Sequence, residues 1–193
     1  SPSPSPAAVC CPSEVTLALG APAGDIDIGT TGINYDFTFP IGTTLRLATT
    51  CPAADPTGCG RCAITGSAAP RRCFDDVSRT CTADAACGSG RCVDLLAPPV
   101  PTTAGGAPSC ILLEILDASG GAYDPATGAL DVPLALDWTF FVGIDVGIPC
   151  PRCNGAAVGD PGVCEGGARP GAACRVDAHD VLFGNTSFDC PPN

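Results

Sequence analysis

Apolar and polar residues alternate along several short stretches near the start of the chain. VTLAL (Val15–Leu19), INYDFTF (Ile33–Phe39) and TLRLA (Thr44–Ala48) carry apolar side chains at every second position. Because successive side chains of a β-strand point to opposite faces, this period predicts strands with one buried face. Glycine and proline between the stretches mark turns. We therefore predict about three or four strands in a first β unit, residues 12–50.

A second set of stretches repeats this design after a cysteine-dense interval. CILLEIL (Cys110–Leu116) and ALDVPLALDWTFFVGIDV (Ala129–Val146) predict a second β unit, residues 109–149. Units this small expose an apolar face and strand edges when alone, so we expect them to pack together. The predicted fold is all-β, a sandwich or barrel built from two β units, with disulfide-rich loop modules. Two separate small domains are the alternative arrangement.

Two features of the sequence occur twice. DFTFPIG (Asp36–Gly42) resembles DWTFFVG (Asp137–Gly143), and the cysteine spacing C-x2-C-x10-C begins once at Cys59 and again at Cys150. The matches occur in the same order along both halves. They predict a tandem duplication, in which each β unit is followed by its own cysteine module.

The remaining segments differ in composition from the β units. Module one (51–92) and module two (150–193) are rich in cysteine and poor in apolar residues, so we expect disulfides rather than burial to order them. Pro-rich and Gly-rich sequence predicts a linker at 93–108. The opening SPSPSP predicts an extended N-terminal arm, residues 1–11, because alternating proline fixes φ and removes amide donors.

Cysteine usage predicts the compartment. The chain contains 15 cysteines, a density that favours an oxidising environment. It opens without methionine or an apolar leader, so we expect an extracellular or cell-surface protein after removal of a signal peptide. An odd number leaves at least one thiol unpaired within a chain. The disulfide candidates are Cys51, Cys59, Cys62, Cys73, Cys81, Cys87, Cys92, Cys110, Cys150, Cys153, Cys164, Cys174 and Cys190.

Cys10 and Cys11 are adjacent and follow the Pro-rich arm. A bond between neighbouring cysteines is strained, so the two are expected to reach different partners. One interpretation gives one of them a partner in the next subunit, which would account for the odd cysteine number. The other ties both into the first β unit and leaves a thiol elsewhere. Cys10 and Cys11 are therefore the candidate intersubunit residues.

The charge pattern excludes some partners. The chain has 20 acidic and 9 basic residues, a net charge of −11, and every basic residue is arginine. This charge repels phosphate backbones and anionic lipid, so we expect neither nucleic acid nor an anionic membrane as partner. No apolar run approaches the roughly 20 residues that cross a bilayer, so no membrane span is predicted.

The sequence lacks a recognisable catalytic constellation. His179 is the single histidine, and without a nucleophile in a recognisable turn no triad can be assembled. The two C-x2-C pairs have zinc-ribbon spacing, but an oxidising compartment disfavours thiolate ligands. GDIDIG (Gly24–Gly29) and DPATGALD (Asp124–Asp131) are interpreted as turns rather than calcium loops. We therefore predict no enzyme, no cofactor and no metal.

Two cysteine-rich stretches carry a resemblance. TCTADAACGSGRCV (Thr80–Val93) and GVCEGGARPGAACRVD (Gly162–Asp177), with the later ending DCPP, resemble segments of uncharacterised cysteine-rich exported β-proteins from GC-rich, myxobacteria-like bacteria. The resemblance implies export and a structural or surface role, and it carries no activity.

These observations favour a structural function. We hypothesise an exported subunit that assembles with copies of itself into an extracellular filament or surface matrix, stapled by disulfides. The alternative is a secreted carbohydrate- or protein-binding module that uses its loops and Trp138. The alternation in DWTFFVG places Trp138 at an inward position, so we expect it in the core.

Overall fold

The computed structural model describes residues 11–19, 23–27, 34–51, 60–104, 106–143 and 145–193, and almost all of its regular secondary structure is short strands. The strands of the first half are β1 (Glu14–Ala18), β2 (Ala23–Asp27), β3 (Asn34–Thr38), β4 (Thr44–Thr50), β5 (Cys62–Ser67), β6 (Arg72–Cys73), β7 (Asp76–Thr80), β8 (Cys92–Val93) and β9 (Val100–Ala104). Those of the second half are β10 (Ala107–Asp117), β11 (Ser119–Tyr123), β12 (Leu130–Asp131), β13 (Ala135–Val142), β14 (Arg152–Cys153), β15 (Pro161–Glu165), β16 (Ala173–Arg175), β17 (Ala178–Asp180) and β18 (Gly184–Thr186). A short 3-10 helix, Asp84–Cys87, lies between β7 and β8.

Two antiparallel sheets form the main body. One has the strand order β1-β4-β5-β11-β12 and the other β13-β10-β9. The pairing register of β10 shifts between Ile115 and Asp117, after which the chain enters β11 in the other sheet. Such an irregularity bends a strand and lets it pass from one sheet to the next. The predicted all-β fold is confirmed.

The main hydrophobic core lies between these two sheets. It consists of buried aliphatic side chains from both, among them Leu45, Leu47, Ile64, Ile111, Leu113 and Ile115. Within each strand these residues are two positions apart, as expected for side chains that share one face. Each contributes about 1.5–3 kcal/mol by leaving water. The alternation in the sequence therefore marks the core-facing positions.

Strand β10 is buried on both faces. Leu113 faces the main core, whereas Leu112 packs on the other side against Val77, Val93 and Leu95. A strand covered on both faces is apolar throughout rather than alternating. This explains the continuous apolar run CILLEIL. It also places the cysteine-rich residues 71–93 against the face of β10 that points away from the main core.

The predicted linker at 93–108 is instead part of the folded body. Val100 pairs with Ile111 where β9 joins the edge of β10. Upstream, Leu96 donates a backbone hydrogen bond to Leu113 at 2.9 Å and is itself buried in the core. Its prolines suggested a tether, but Pro101 lies in an edge strand, where a missing N–H is tolerated. The free energy gained by burying its apolar residues exceeds the cost of ordering this segment.

The two similar heptads occupy non-equivalent places. Asp36–Thr38 ends β3, which pairs with β2 in a separate two-stranded hairpin. Asp137–Gly143 instead runs along β13, which pairs with the central strand β10. The strand partners therefore differ, and the fold lends the predicted duplication no support. Ser1–Cys10 of the predicted arm lie outside the described residues.

The cysteine-rich parts are small sheets held by disulfides. We call residues 71–93 the β6–β8 unit; its sheet has the order β7-β6-β8, and its cysteine cluster contains Cys73, Cys81, Cys87 and Cys92. In module two, Cys153, Cys164, Cys174 and Cys190 cluster with Val176 around the sheet β14-β15-β16. Strand β5, placed in module one by the sequence, belongs to the main sheet.

Candidate functional site

Strand β13 is an open edge of the sandwich. It pairs with β10 on one side, and none of the described strands pairs with its other side. Along one face, Leu136 and Trp138 pack onto the main core. The same face continues as Phe140 and Val142, which are 49% and 80% exposed. The apolar face of β13 therefore extends beyond the core that it helps to close.

Trp138 connects the core to this exposed end. It is partly buried against the core, and its ring stacks on that of Phe140 with centroids 6.5 Å apart. Offset stacking at this distance is favourable and holds the exposed ring in place. Trp138 thus packs where the alternation predicted, at the boundary of the core rather than deep within it.

A groove lies beside the end of β13. It has a volume of about 310 Å³ and is lined by Phe141, Val142, Ile148, Pro149 and Pro151, next to the Cys110–Cys150 disulfide. We define the edge patch as Phe140 and Val142 on one face of β13 together with Ile148, which lines the groove with Val142; all three are exposed. An exposed apolar patch on an open strand edge is typical of an interaction surface.

A polar cluster joins the β6–β8 unit to module two. The guanidinium carbon of Arg72 lies 3.9 Å from the centre of the Phe188 ring, and Arg72 Nη1 donates to the Val77 carbonyl at 2.9 Å. Asp177 accepts hydrogen bonds from the Phe188 N–H at 2.8 Å and from Ser187 Oγ at 3.1 Å. Burial raises the pKa of Asp177, an effect that these hydrogen bonds and the Arg72 charge oppose. The cluster therefore fixes how two stapled units meet.

The raised pKa of Asp177 predicts a pH-dependent stability. A carboxyl whose pKa is higher in the folded state stabilises the fold below its unfolded pKa, about 3.9, and this contribution is lost as pH rises through the folded value. Asp177→Asn is neutral throughout, so its stability relative to the unchanged protein should increase from pH 3 to pH 7. Urea unfolding across this range measures the difference. Asp131→Asn, at an exposed residue of β12, is the control, and a pH-independent difference for Asp177→Asn would contradict the assignment.

A second polar contact anchors the β6–β8 unit on β10. Glu114 is buried on β10, and Arg91 donates to both of its carboxylate oxygens, at 2.8 and 3.0 Å. Arg91 also lies over the Phe74 ring at 5.1 Å. The bond to Glu114 raises the pKa of Arg91. This bidentate pair satisfies a carboxylate that the sandwich largely withdraws from water.

Loss of this arginine should destabilise the fold. Arg91→Ala leaves Glu114 buried without its partner, and we expect a loss of about 1 kcal/mol in the free energy of unfolding at neutral pH, because water screens the Arg91 side chain, which is 57% exposed. Arg61→Ala removes an exposed arginine and should change stability by less than about 0.5 kcal/mol. Chemical denaturation of both variants measures the difference, and equal effects would show that the Glu114 pair contributes nothing.

The structure places most of the predicted disulfide candidates in bonds. Within the described residues the pairs are Cys11–Cys62, Cys73–Cys87, Cys81–Cys92, Cys110–Cys150, Cys153–Cys174 and Cys164–Cys190. Cys10 and Cys59 lie outside those residues.

Two cysteines differ from expectation. Cys51, a disulfide candidate, is an exposed free thiol. Cys11, a candidate for an intersubunit bond, is bonded within the chain to Cys62, and their Cα atoms are 5.6 Å apart. The bond joins the segment before β1 to the start of β5, and Cys51, which directly follows β4 between these strands, keeps its thiol.

Disulfides occupy three cysteines of the two C-x2-C pairs, Cys62, Cys150 and Cys153, and Cys59 lies outside the described residues. Sulfurs of Cys73, Cys81 and Cys87 lie within 4.8 Å of one another, but disulfides occupy all three, whereas zinc binds thiolates. His179 Nδ1 lies 2.7 Å from Asn185 Oδ1, and its backbone pairs with Ile41. The histidine thus ties module two to the first β unit.

The carboxylate of Asp124 in DPATGALD takes part in a turn. Asp124 accepts backbone hydrogen bonds from Ala126 at 2.9 Å and from Thr127 at 3.3 Å, so its carboxylate closes a turn, and these bonds lower its pKa.

Among the residues that the structure describes, no helix has the length and apolar character that crossing a bilayer requires. Comparisons with protein families, with curated proteins and with solved structures find no match.

Proposed function

We propose that this protein is an exported structural subunit that assembles with copies of itself into an extracellular filament or surface matrix. The observation that supports this proposal best is the open edge of β13 with its exposed Phe140 and Val142. The outward N–H and C=O groups of an edge strand can pair with a strand of another molecule. Apolar side chains beside that edge would then be covered in the same contact.

The composition of β13 supports the same conclusion. Proteins that remain monomeric protect edge strands with lysine, proline, bulges or short length. β13 is 8 residues long, its sequence ALDWTFFV has no proline, and Asp137 is its single charge. The other edge of this sheet, β9, is shorter and carries Pro101. Within the part of the chain that the structure describes, these devices therefore protect the β9 edge and not the β13 edge.

Charge and disulfides set the conditions for assembly. Copies with a net charge of −11 repel one another, and salt weakens this repulsion because the screening length falls from about 30 Å at 0.01 M to about 8 Å at 0.15 M. Assembly should therefore strengthen with ionic strength. The disulfides favour an oxidising compartment.

Lysine at the edge patch should abolish assembly. The double variant Phe140→Lys, Val142→Lys buries two charges in the proposed contact, so it should remain monomeric where the unchanged protein sediments as oligomers. Val181→Lys, Leu182→Lys is the matched control, since it adds the same charge at two apolar residues that are 75% and 79% exposed. Sedimentation velocity at 0.15 M salt compares the three proteins. Assembly that survives in the edge variant, or fails in both, would refute a role for β13.

A binding module is the second candidate function. The groove of about 310 Å³ beside β13 and the stacked Trp138–Phe140 pair would suit a sugar ring or an extended peptide. Under this alternative the unchanged protein stays monomeric at every concentration, and the edge variant loses ligand binding instead.

A further inference from the structure

Three cysteines meet at one end of the first sheet. The β4–β5 ladder ends with Thr50 opposite Ala63, so Cys51 directly follows the last paired residue of β4 and Cys62 directly precedes that of β5. The Cα atoms of Cys11 and Cys62 are 5.6 Å apart, although β1 and β5 lie on opposite sides of β4, where strands are about 9.6 Å apart. The segment before β1 therefore leaves the β1–β4 ladder and approaches β5 beside Cys51.

Hydrogen bonds place Cys11 next to Cys51. The Thr49 N–H donates to the Ser13 carbonyl at 3.0 Å, and the Thr49 hydroxyl donates to the Pro12 carbonyl. One step further, the Cys11 N–H donates to Cys51 Sγ at 3.2 Å. The Cys51 sulfur therefore lies against the backbone of a cysteine whose own sulfur is in the Cys11–Cys62 bond.

The second half of the chain contains a bridge of the same span. Cys110 and Cys150 are 40 residues apart and are bonded. Cys11 and Cys51 are also 40 residues apart, and the second cysteine of each pair precedes a proline. The Cys11 to Cys51 span is thus one that this chain already closes elsewhere.

Burial distinguishes the sulfurs that compete for Cys11. Cys51 is exposed and Cys62 is fully buried, whereas Cys11 is partly exposed. A thiolate must reach the sulfur that it attacks, and the accessible one in this bridge belongs to Cys11. A buried cysteine thiol left behind is well accommodated, since free cysteine behaves as a small apolar residue.

We propose that Cys11, Cys51 and Cys62 form a thiol–disulfide exchange site. The Cys51 thiol gives its proton to water, and its sulfur forms a bond to Cys11 Sγ. The Cys11–Cys62 bond breaks, its electron pair stays on Cys62 Sγ, and that sulfur takes up a proton. One disulfide replaces another, so no oxidant or reductant is consumed. The exchange moves the free thiol from an exposed to a buried position and so decides whether the chain presents a thiol to another molecule.

Counting free thiols tests the alternative bridge. In a parent protein with Cys10→Ser and Cys59→Ser, refolded with reduced and oxidised glutathione, the six disulfides leave one thiol, that of Cys51. Adding Cys62→Ser should leave no thiol, because Cys11 bonds to Cys51 and glutathione disulfide supplies the oxidation. Adding Cys150→Ser instead should leave two thiols, those of Cys51 and Cys110. Two thiols after Cys62→Ser, or none after both substitutions, would overturn the proposal.

Mapping the thiol in the parent protein tests the exchange itself without altering the bridge. The parent is incubated at pH 8, quenched in acid, unfolded and alkylated; trypsin then cleaves after Arg61 and separates Cys51 from Cys62. We expect alkylated Cys62 to increase with incubation time while alkylated Cys51 decreases. In Cys51→Ser, Cys62 should stay unlabelled. Label confined to Cys51 in the parent at all times would overturn the exchange.

Discussion

Replacing the four cysteines of the β6–β8 unit by alanine is expected to unfold that unit while the sandwich stays folded. Cys73–Cys87 and Cys81–Cys92 close loops with sequence separations of 14 and 11. Chain entropy gives about 3 kcal/mol for each loop of this size. The buried cysteine cluster of the unit consists of these same residues. Its remaining support, Val77 and Val93 packed on β10 and the Arg91–Glu114 pair, is small beside the entropy of ordering residues 71–93. We expect a combined loss of about 6 kcal/mol within the unit.

Hydrogen exchange locates this effect. Backbone amides of β6 and β7 should lose protection in the four-alanine variant, whereas those of β10 and β13 should keep theirs. Removing Cys81–Cys92 alone should have about half the effect. Unchanged protection in β7 would show that the two disulfides do not stabilise the unit. Unfolding of β13 together with β7 would show that the sandwich depends on the unit.

Truncating Leu113 is expected to destabilise the sandwich itself. Its side chain is 1% exposed on β10, in the core between the two sheets. Leu113→Ala removes the transfer energy of the lost methyl groups and leaves a cavity, a change that costs about 2–5 kcal/mol. Denaturant unfolding followed by Trp138 fluorescence measures the loss, because Trp138 packs against the same core.

Leu116 provides the control on the same strand. It is 61% exposed, so Leu116→Ala should change stability by less than about 0.5 kcal/mol. A similar loss for both leucines would mean that β10 does not present Leu113 to a closed core.

The strands and their buried faces could be predicted because they depend on local pattern. The alternation at Leu45 and Leu47 predicts a strand, and both residues face the core. The apolar run of β10 predicts a strand too, and its double burial follows from the unit packed behind it. The segment 93–108 differs from its predicted role as a linker because proline and glycine content does not reveal which of its side chains the fold buries.

The cysteine bonds could be predicted as a set but not as pairs. Composition and spacing identify which residues take part, yet pairing depends on which strands the fold brings together. Cys62 bonds to Cys11 across the first sheet, whereas Cys153, at the matching position of the repeated spacing, bonds to Cys174 within module two. Identical spacing therefore led to different partners, and the free thiol at Cys51 follows from tertiary packing.

The edge patch could not be predicted from the sequence, for a similar reason. Alternation in β13 places Trp138, Phe140 and Val142 on related positions, but it does not reveal where the opposing sheet ends. Trp138 is partly buried and Val142 is 80% exposed because the core ends between them. The junction of Arg72 with Asp177 likewise joins residues far apart in sequence, so no local pattern signals it.

Electron microscopy of the purified, oxidised protein at physiological salt tests the central claim most directly. If copies join through the open edge of β13, the unchanged protein forms filaments or sheets with a regular repeat, and the Phe140→Lys, Val142→Lys variant shows isolated particles of single-chain size. Isolated particles of the unchanged protein at every concentration and salt level, confirmed as monomers by mass, would contradict it.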